Sequence, residues 1–346
     1  MEYRVDSVIW IFTSKCNLKC PHCYASIYEG VRELSLEEKL KLAREICEAG
    51  VEYVGLSGGE PLIHPHFKHI VSLLRDYGVS ISIVTNATVV DDETASFLYR
   101  NDVLTYVSID GPRDIHDLIR GDGVFEKMTK SVGKLRSRGV DLASVTAISR
   151  LNRDYVSWCV RESLKMGFEH AAIIPVMPSG RALDNKLYID SETLVKTVLD
   201  ACLESIRLEH PLCVWCVPFM EVILEGRVES GLITWFSCRR MESVDIDPAG
   251  NLITCDVLGD VVSSASKLGF EEAWRIYCED RLIKEIVEPS KLPATCMSCR
   301  IRGYCKGGCY ARAKIMRGGY NSGDPLCPLI ASAGKGSLTE ESSGSS

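Results

Sequence analysis

Short apolar segments alternate with segments of helical periodicity along the first half of the chain. The apolar segments are rich in Val, Ile and aromatic residues, which favours β-strands. Their predicted bounds are residues 7–12, 53–57, 80–85, 105–109, 142–148 and 171–176. Between the first two, Ser35 and Glu38 have the spacing of a helix capping box. This alternation predicts a parallel α/β sheet of six βα units, fewer than the eight of a closed barrel.

Three cysteines, Cys16, Cys20 and Cys23, follow the first predicted strand with the spacing C-x3-C-x2-C. Three thiolates on one loop can hold a [4Fe–4S] cluster by three of its irons and leave the fourth iron open to a small ligand. A zinc site is the alternative, and His22 within the loop could supply its fourth ligand. A disulfide framework is disfavoured, since the N-terminus lacks the layout of a secretory signal.

Composition excludes several classes of partner. The chain has 346 residues and 16 cysteines, with a formal net charge of −7 and a pI near 5.6. With this negative net charge, the chain has no overall positive charge that would attract nucleic acid. No apolar stretch reaches membrane-spanning length. We therefore expect a cytoplasmic protein with no nucleic-acid partner and no membrane span.

A G-G-E-P turn, formed by Gly58, Gly59, Glu60 and Pro61, follows the second predicted strand. With the cysteine triplet after the first strand, it resembles the radical S-adenosylmethionine (SAM) superfamily. The resemblance implies a partial (β/α)6 TIM-like barrel whose open iron chelates the amino and carboxylate groups of SAM. One electron from the cluster would cleave SAM to methionine and a 5′-deoxyadenosyl radical.

The same resemblance implies a set of SAM contacts. The four residues of the G-G-E-P turn would meet the methionine end, although the turn alone is also a plain strand-to-helix connection. His22 would flank the adenine, with a surface histidine as the alternative. Ser108 and Asp110 would lie near the ribose, and Asn86 and Arg120 would complete the mouth of the site. An ordinary capped βα loop is the alternative for the segment from Ser108 to Arg120.

A second group of cysteines lies in the Gly- and Cys-rich C-terminal part. It reads Cys238-x11-Gly250-x4-Cys255, then Cys296-x2-Cys299-x5-Cys305-x3-Cys309, then Cys327. This resembles the SPASM domain, which carries two auxiliary iron–sulfur clusters, expected as [4Fe–4S]; structural zinc is the alternative. The resemblance assigns Cys238, Cys255 and Cys309 to the first cluster, and Cys296, Cys299, Cys305 and Cys327 to the second. The fourth ligand of the first is Cys213, Cys216 or none.

Domain bounds follow from these patterns. We expect a radical SAM partial barrel over 1–185, a bridging helix and linker over 186–235, and a small, loop-rich SPASM domain stapled by clusters over 236–330. The Ser-, Gly- and Glu-rich residues 331–346 predict a disordered tail.

The predicted function is oxidation of a peptide or protein side chain through hydrogen abstraction. Asp256, directly after Cys255, matches the position of a proposed general base in sulfatase-maturating enzymes; a turn-forming Asp is the alternative. The other candidate substrates are a tetrapyrrole or another small molecule or lipid. An external flavodoxin- or ferredoxin-like donor would supply electrons. A non-catalytic iron–sulfur or zinc protein is the remaining class.

Overall fold

A single mixed sheet of eleven strands organises the protein, as a computed structural model describes it over residues 4–225 and 231–336. The strands, numbered in chain order, are β1 Ser7–Thr13, β2 Tyr53–Gly58, β3 Ser80–Thr85, β4 Val103–Ser108, β5 Leu142–Ile148, β6 His170–Pro175, β7 Leu212–Val214, β8 Ile233–Trp235, β9 Ser243–Ile246, β10 Asn251–Ile253 and β11 Val261–Ser264. Strands β1 to β6 are neighbours in sequence order and all parallel. The six predicted strands and the α/β fold class are confirmed.

Later segments extend the sheet at both edges. Strands β7 and β8 continue the parallel order beyond β6. At the other edge β9 pairs in parallel with β1, in the register Ser7↔Ser243, and β10 and β11 follow it antiparallel. The cysteine-rich C-terminal half therefore continues the sheet from β1. Three- and four-residue strands leave no sequence signal for this pairing, because it depends on contacts between residues more than 200 positions apart.

Helices cover the sheet and the C-terminal half. They are α1 Leu36–Glu48, α2 Phe67–Asp76, α3 Asp92–Arg100, α4 Arg113–Arg120, α5 Val124–Ser137, α6 Val156–Lys165, α7 Arg181–Asp184, α8 Ser191–Arg207, α9 Met220–Leu224, α10 Ala265–Leu268, α11 Phe270–Glu279, α12 Arg281–Val287, α13 Ala294–Met297, α14 Arg302–Cys305, α15 Tyr310–Arg317 and α16 Pro328–Gly336. Short 3₁₀ helices span Ala25–Tyr28, Pro61–Ile63 and Arg153–Tyr155. None of the helices in the described ranges is both long enough and apolar enough to cross a membrane.

Helix α1 begins at the predicted capping box. The Ser35 hydroxyl accepts a hydrogen bond from the Glu38 amide at 3.2 Å, and the Glu38 carboxylate accepts one from the Ser35 amide at 2.7 Å. The two bonds satisfy donors that a helix N-terminus otherwise leaves unpaired.

Two large apolar clusters form the core. One packs β1 to β4 against α1, α2, α3 and α11, and includes Trp10 and Phe12. The other packs α6 and α8 against β6 and β7, and reaches Cys305 and Cys327. Three cysteines outside the predicted ligand sets, Cys159, Cys202 and Cys278, are fully buried and pack as small apolar side chains.

The C-terminal segment departs from the prediction. Residues 331–336 belong to α16, where the composition predicts a disordered tail from residue 331. Proline is favoured at the first position of a helix, as Pro328 is here, and Ile330 is buried in the second cluster, so the helix has both a start and a packed face. The remainder of the predicted tail, 337–346, lies outside the described residues.

Candidate active site

The loop that carries Cys16, Cys20 and Cys23 leaves the sheet at the carboxyl end of β1. The Glu33 carboxylate fixes its start, since it accepts hydrogen bonds from the Thr13 hydroxyl and from the amide and hydroxyl of Ser14, each at 2.8 Å. Burial alone would raise the pKa of Glu33, but these hydrogen bonds outweigh it and lower the pKa to about 2. Glu33 is thus ionised at neutral pH and holds the exit of the strand in place.

The G-G-E-P turn docks directly on this loop. The Gly59 amide donates to the Thr13 carbonyl at 2.7 Å, and the Glu60 amide donates to the Lys15 carbonyl at 2.8 Å. A Cβ atom on Gly59 would lie 2.0 Å from the Lys15 oxygen, and one on Gly58 would lie 2.4 Å from the Thr13 oxygen. The two glycines are therefore required for the backbone of the turn to reach the backbone of the cysteine loop.

Glu60 joins the turn to the end of the next strand. Its fully buried carboxylate accepts hydrogen bonds from the Thr85 hydroxyl and the Asn86 amide, both at 2.7 Å, and from the Leu62 amide at 3.1 Å. Pro61 follows as the first residue of a 3₁₀ helix. In this structure the carboxylate is occupied by protein donors, so its visible role is to position the turn.

Asn86 connects the third strand to the cysteine loop. Its side-chain amide donates to the Asn17 side chain at 3.0 Å and lies 3.9 Å from the Cys16 sulfur. The Cys16 side chain is exposed at the surface, but partial desolvation by the surrounding protein raises the pKa of its thiol to about 11. Binding a metal there would release a proton, because only the thiolate is a ligand.

A buried ion pair lies beside the loop at the end of β4. Arg120 Nε donates to Asp110 Oδ2 at 2.6 Å, and the Ala147 amide donates to Asp110 Oδ1 at 3.1 Å. Burial would lower the pKa of Arg120, but the Asp110 carboxylate and the Cys20 thiol outweigh it and raise the pKa. Ser108 is buried at the last position of the same strand. A permanent positive charge therefore faces the cysteine loop, where it would offset thiolate charge.

His22 points at the same ion pair. Its Nε2 lies 3.7 Å from Asp110 Oδ2, but burial lowers the pKa of His22 to about 4, so the ring is neutral at pH 7. His22 is 9 % exposed, which excludes a surface histidine. Its Nδ1 is buried and has no hydrogen-bond partner within the described part of the chain. Such an unpaired buried atom is unfavourable unless a bound group completes it.

The segment after β6 hydrogen-bonds to the cysteine loop. The sequence analysis does not predict these contacts. The Arg181 amide donates to the Cys23 carbonyl at 3.2 Å, its Nε donates to the Cys20 carbonyl at 3.0 Å, and the Asn185 side chain donates to the Pro21 carbonyl at 3.1 Å. A Cβ on Gly180 would lie 2.7 Å from the Tyr24 oxygen. The sequence shows only a turn at these positions, because contacts across more than 150 residues leave no local pattern.

Asp256 lies between the two groups of cysteines. Its Oδ1 is 3.5 Å from the Cys255 sulfur, and its amide donates to Asp245 Oδ2 at 2.8 Å. On the other side the Tyr28 hydroxyl donates to the Asp256 carbonyl at 2.8 Å, and the Tyr24 hydroxyl hydrogen-bonds the carboxylate. Burial raises the pKa of Asp256. Since Tyr24 directly follows Cys23, this carboxylate connects the N-terminal loop with Cys255.

Four of the C-terminal cysteines line one cavity: Cys296, Cys299, Cys305 and Cys327. Phe219, Leu329 and Ile330 complete part of its wall. Burial and, to a smaller extent, the neighbouring Cys327 raise the pKa of the Cys296 thiol to about 11 and that of Cys305 to about 12. The structure thus brings together the four residues that the resemblance assigns to the second auxiliary cluster.

The thiols of the described residues are spaced more widely than the ligands of one zinc ion would be. Within residues 4–225 and 231–336, the only group of three or more metal-ligating side chains with ligand atoms within 4.8 Å of one another is Asp245, Cys255 and Asp256. No three cysteine sulfurs in these ranges lie that close together. A tetrahedral zinc ion with Zn–S bonds of about 2.3 Å would hold its sulfurs about 3.8 Å apart.

Comparison with known proteins agrees with this geometry. Residues 10–156 match the model of the Radical SAM superfamily. The chain is 27% identical over 341 residues to the mycofactocin maturase MftC of Mycolicibacterium smegmatis, covering 92% of this chain and 81% of that protein. It is 24% identical to the AdoMet-dependent heme synthase of Methanosarcina barkeri, covering 92% and 95%. The structure of Streptococcus suis SuiB bound to precursor peptide SuiA superposes with a TM-score of 0.78 at 15% identity, over 94% of this chain and 76% of that one.

Proposed function

We propose, from the premise that this chain is an enzyme with a radical SAM domain, that it oxidises a side chain of a peptide or protein substrate. The observation that carries the proposal is the docking of the Gly58–Pro61 turn on the loop of Cys16, Cys20 and Cys23, at the carboxyl ends of parallel strands. This edge is where α/β barrels place their catalytic groups. The backbone contacts of 2.7 and 2.8 Å hold the turn beside the three thiols.

The residues at this edge have distinct roles in the proposal. Cys16, Cys20 and Cys23 would hold a [4Fe–4S] cluster, and the backbone of Gly58, Gly59, Glu60 and Pro61 would bind the methionine end of SAM. The residues proposed to surround the nucleoside are His22, Asn86, Ser108, Asp110 and Arg120. Among them, His22 has a buried ring nitrogen without a hydrogen-bond partner in the described residues. The chemistry that the bound cofactors supply is reductive cleavage of SAM to methionine and a 5′-deoxyadenosyl radical.

The overall reaction must account for two electrons. One electron from an external donor would be used in the cleavage of SAM, and the substrate would lose one hydrogen atom to the deoxyadenosyl group. The substrate would then lose a second electron and a proton, and the auxiliary clusters would accept the electron. We assign the proton to the Asp256 carboxylate, which lies beside Cys255. A flavodoxin- or ferredoxin-like donor and a cytoplasmic location fit the reduced thiols that this chemistry needs.

A tetrapyrrole is the second candidate substrate, because haem synthases are similar over the same share of the chain. The basic residues between Arg300 and Arg317 are one feature that would attract its carboxylates. Much of that charge is paired within the protein, since Arg300 contacts Glu221 and Glu225, Lys306 pairs with Glu288, and Arg312 pairs with Asp324. The structure thus gives this candidate less support than the peptide.

Two substrate classes can be compared directly. The reconstituted holoenzyme is incubated anaerobically with SAM, a reductant and either synthetic copies of the short peptides that neighbouring reading frames encode or a propionate-bearing tetrapyrrole. We expect 5′-deoxyadenosine release to rise with the peptide, together with a peptide lighter by two hydrogens. Loss of carbon dioxide from the tetrapyrrole, with the peptide unchanged, would instead identify the second candidate.

Replacing Asp256 with asparagine tests its proposed role. We expect product formation to fall by about 10²- to 10⁴-fold, since this is the range that a positioned acid or base contributes, while 5′-deoxyadenosine is still released. The matched control is Asp200→Asn at an exposed position of α8, which should leave both rates unchanged. Equal losses of product and of 5′-deoxyadenosine in the Asp256 variant would show a structural role instead.

A further inference from the structure

The first auxiliary group has three predicted ligands, Cys238, Cys255 and Cys309, and an undetermined fourth position. The fourth ligand decides the chemistry, because an open iron can bind substrate directly, whereas a cluster in which each of the four irons carries a thiolate can only exchange electrons. Two cysteines of the bridging region, Cys213 and Cys216, lie within three residues of each other. The structure separates them.

The residues on either side of Cys309 hydrogen-bond to the segments that carry the other two predicted ligands, Cys238 and Cys255. Arg239, next to Cys238, is 1 % exposed, and its Nε donates to the Gly308 carbonyl at 3.0 Å. The Tyr310 hydroxyl donates to the Thr254 carbonyl at 2.5 Å, which fixes the residue before Cys255. Contacts from the residues on either side of Cys309 therefore hold both neighbouring cysteine segments.

A buried ion pair connects the backbone of Cys216 with the backbone of Cys309. Arg312 donates through Nη2 to the Cys216 carbonyl at 2.5 Å and to Asp324 Oδ2 at 2.7 Å. Asp324 Oδ2 also accepts a hydrogen bond from the Cys309 amide at 2.8 Å. Arg312 and Asp324 are 1 % and 0 % exposed. A break in this pair would leave a buried charge, so the backbones of Cys216 and Cys309 are held rigidly together.

The backbone of Cys216 adopts an uncommon conformation. Its φ angle is +57°, in the left-handed region that a residue with a Cβ rarely enters. Such strain persists only where the surrounding contacts impose it, and it concentrates at functional positions. Burial raises the pKa of the Cys216 thiol, and the thiols of Cys309 and Cys238 act in the same direction. Both predicted ligands are thus within electrostatic reach of Cys216.

Cys213 lies elsewhere. It is the middle residue of β7, where it pairs with Ala172 on one side and Thr234 on the other. The side chains of Thr234 and Trp215 are its polar neighbours. Strand pairing on both sides fixes its backbone, and no hydrogen bond among the described residues joins Cys213 to the ion pair of Arg312 and Asp324.

We propose that Cys216 is the fourth ligand of the first auxiliary cluster, so that four protein thiolates, Cys216, Cys238, Cys255 and Cys309, saturate it. The inference rests on the proposed radical SAM function with auxiliary clusters. It excludes direct binding of substrate to this cluster and leaves it an electron carrier. The substrate is then held by protein side chains, and the N-terminal cluster is the one with an open iron.

The test uses the holoenzyme and the paired variants Cys216→Ala and Cys213→Ala. Iron content and the EPR spectrum of the reduced protein are measured with and without cyanide, which binds an open iron. We expect Cys216→Ala either to lose up to about one-third of the iron or to gain a cyanide-sensitive auxiliary signal, since three [4Fe–4S] clusters share about twelve irons. Cys213→Ala should match the parent protein.

Two further outcomes complete the test. If Cys216→Ala is unstable, Cys216→Ser should retain iron and shift the auxiliary signal, because a hydroxyl can replace the thiol as a ligand. Unchanged iron and spectra in both Cys216 variants, or an auxiliary signal that already responds to cyanide in the parent protein, would overturn the assignment. A parent protein that contains zinc and no iron would instead contradict the proposed function itself.

Discussion

Replacing Cys16, Cys20 and Cys23 together with alanine is expected to abolish the release of 5′-deoxyadenosine from SAM. The three thiols leave the sheet on one loop, and the Gly58–Pro61 turn docks on that loop and on no other cysteine segment of the described ranges. The C-terminal cysteines pack separately, in the cavity of Cys296 and around Cys309. The variant should therefore retain about two-thirds of its iron, as expected for two of three [4Fe–4S] clusters.

A matched control removes three other thiols. Cys159, Cys202 and Cys278 are buried in apolar surroundings and belong to none of the proposed ligand sets. Their joint replacement by alanine should lower the melting temperature while leaving iron content and SAM cleavage per folded protein unchanged. Iron content and 5′-deoxyadenosine, measured by chromatography under reducing conditions, distinguish the two variants. SAM cleavage that continues in the N-terminal variant would remove the basis of the proposed function.

A single methyl group on Gly59 should also strongly reduce SAM cleavage. The added Cβ would lie 2.0 Å from the Lys15 carbonyl oxygen, an atom of the backbone that cannot rotate away. The turn would have to retreat by about 1 Å, and a displacement of that size costs about 100-fold in rate when it misplaces a reacting group. We expect Gly59→Ala to reduce SAM cleavage by about that factor.

The control for Gly59→Ala is the same substitution at an open position. Gly133 lies exposed in α5, and a Cβ there meets nothing within 4 Å. Alanine in a helix interior is favoured over glycine by about 1 kcal/mol, so Gly133→Ala should be stabilising and fully active. Thermal unfolding and SAM cleavage are measured for both. A Gly59→Ala variant with parental activity would show that the close approach of the turn is dispensable.

The sequence predicts the part of the fold that rests on local patterns. The predicted strands at 80–85 and 142–148 coincide with β3 and β5, and the capping box of Ser35 is present with both hydrogen bonds. Strand composition, turn residues and cysteine spacing are all read within a few residues. These patterns are enough to predict the parallel sheet and the fold class. They also predict that the cysteine loop and the G-G-E-P turn lie at the same edge of the sheet.

The rest depends on contacts between distant segments. Arg181 binds the carbonyls of Cys20 and Cys23 across about 160 residues, and β9 pairs with β1 across more than 200. Neither contact leaves a periodicity or a motif. The position of Cys216 beside Cys309 likewise depends on the buried pair of Arg312 and Asp324, whose two residues look like ordinary surface charges in the sequence.

The most direct test of the account is the EPR spectrum of the reduced protein before and after addition of SAM. An iron held open on the loop of Cys16, Cys20 and Cys23 predicts that SAM changes the signal of one cluster, and that this change is absent when those three cysteines are alanine. A protein with about twelve bound irons whose spectrum does not respond to SAM would contradict it.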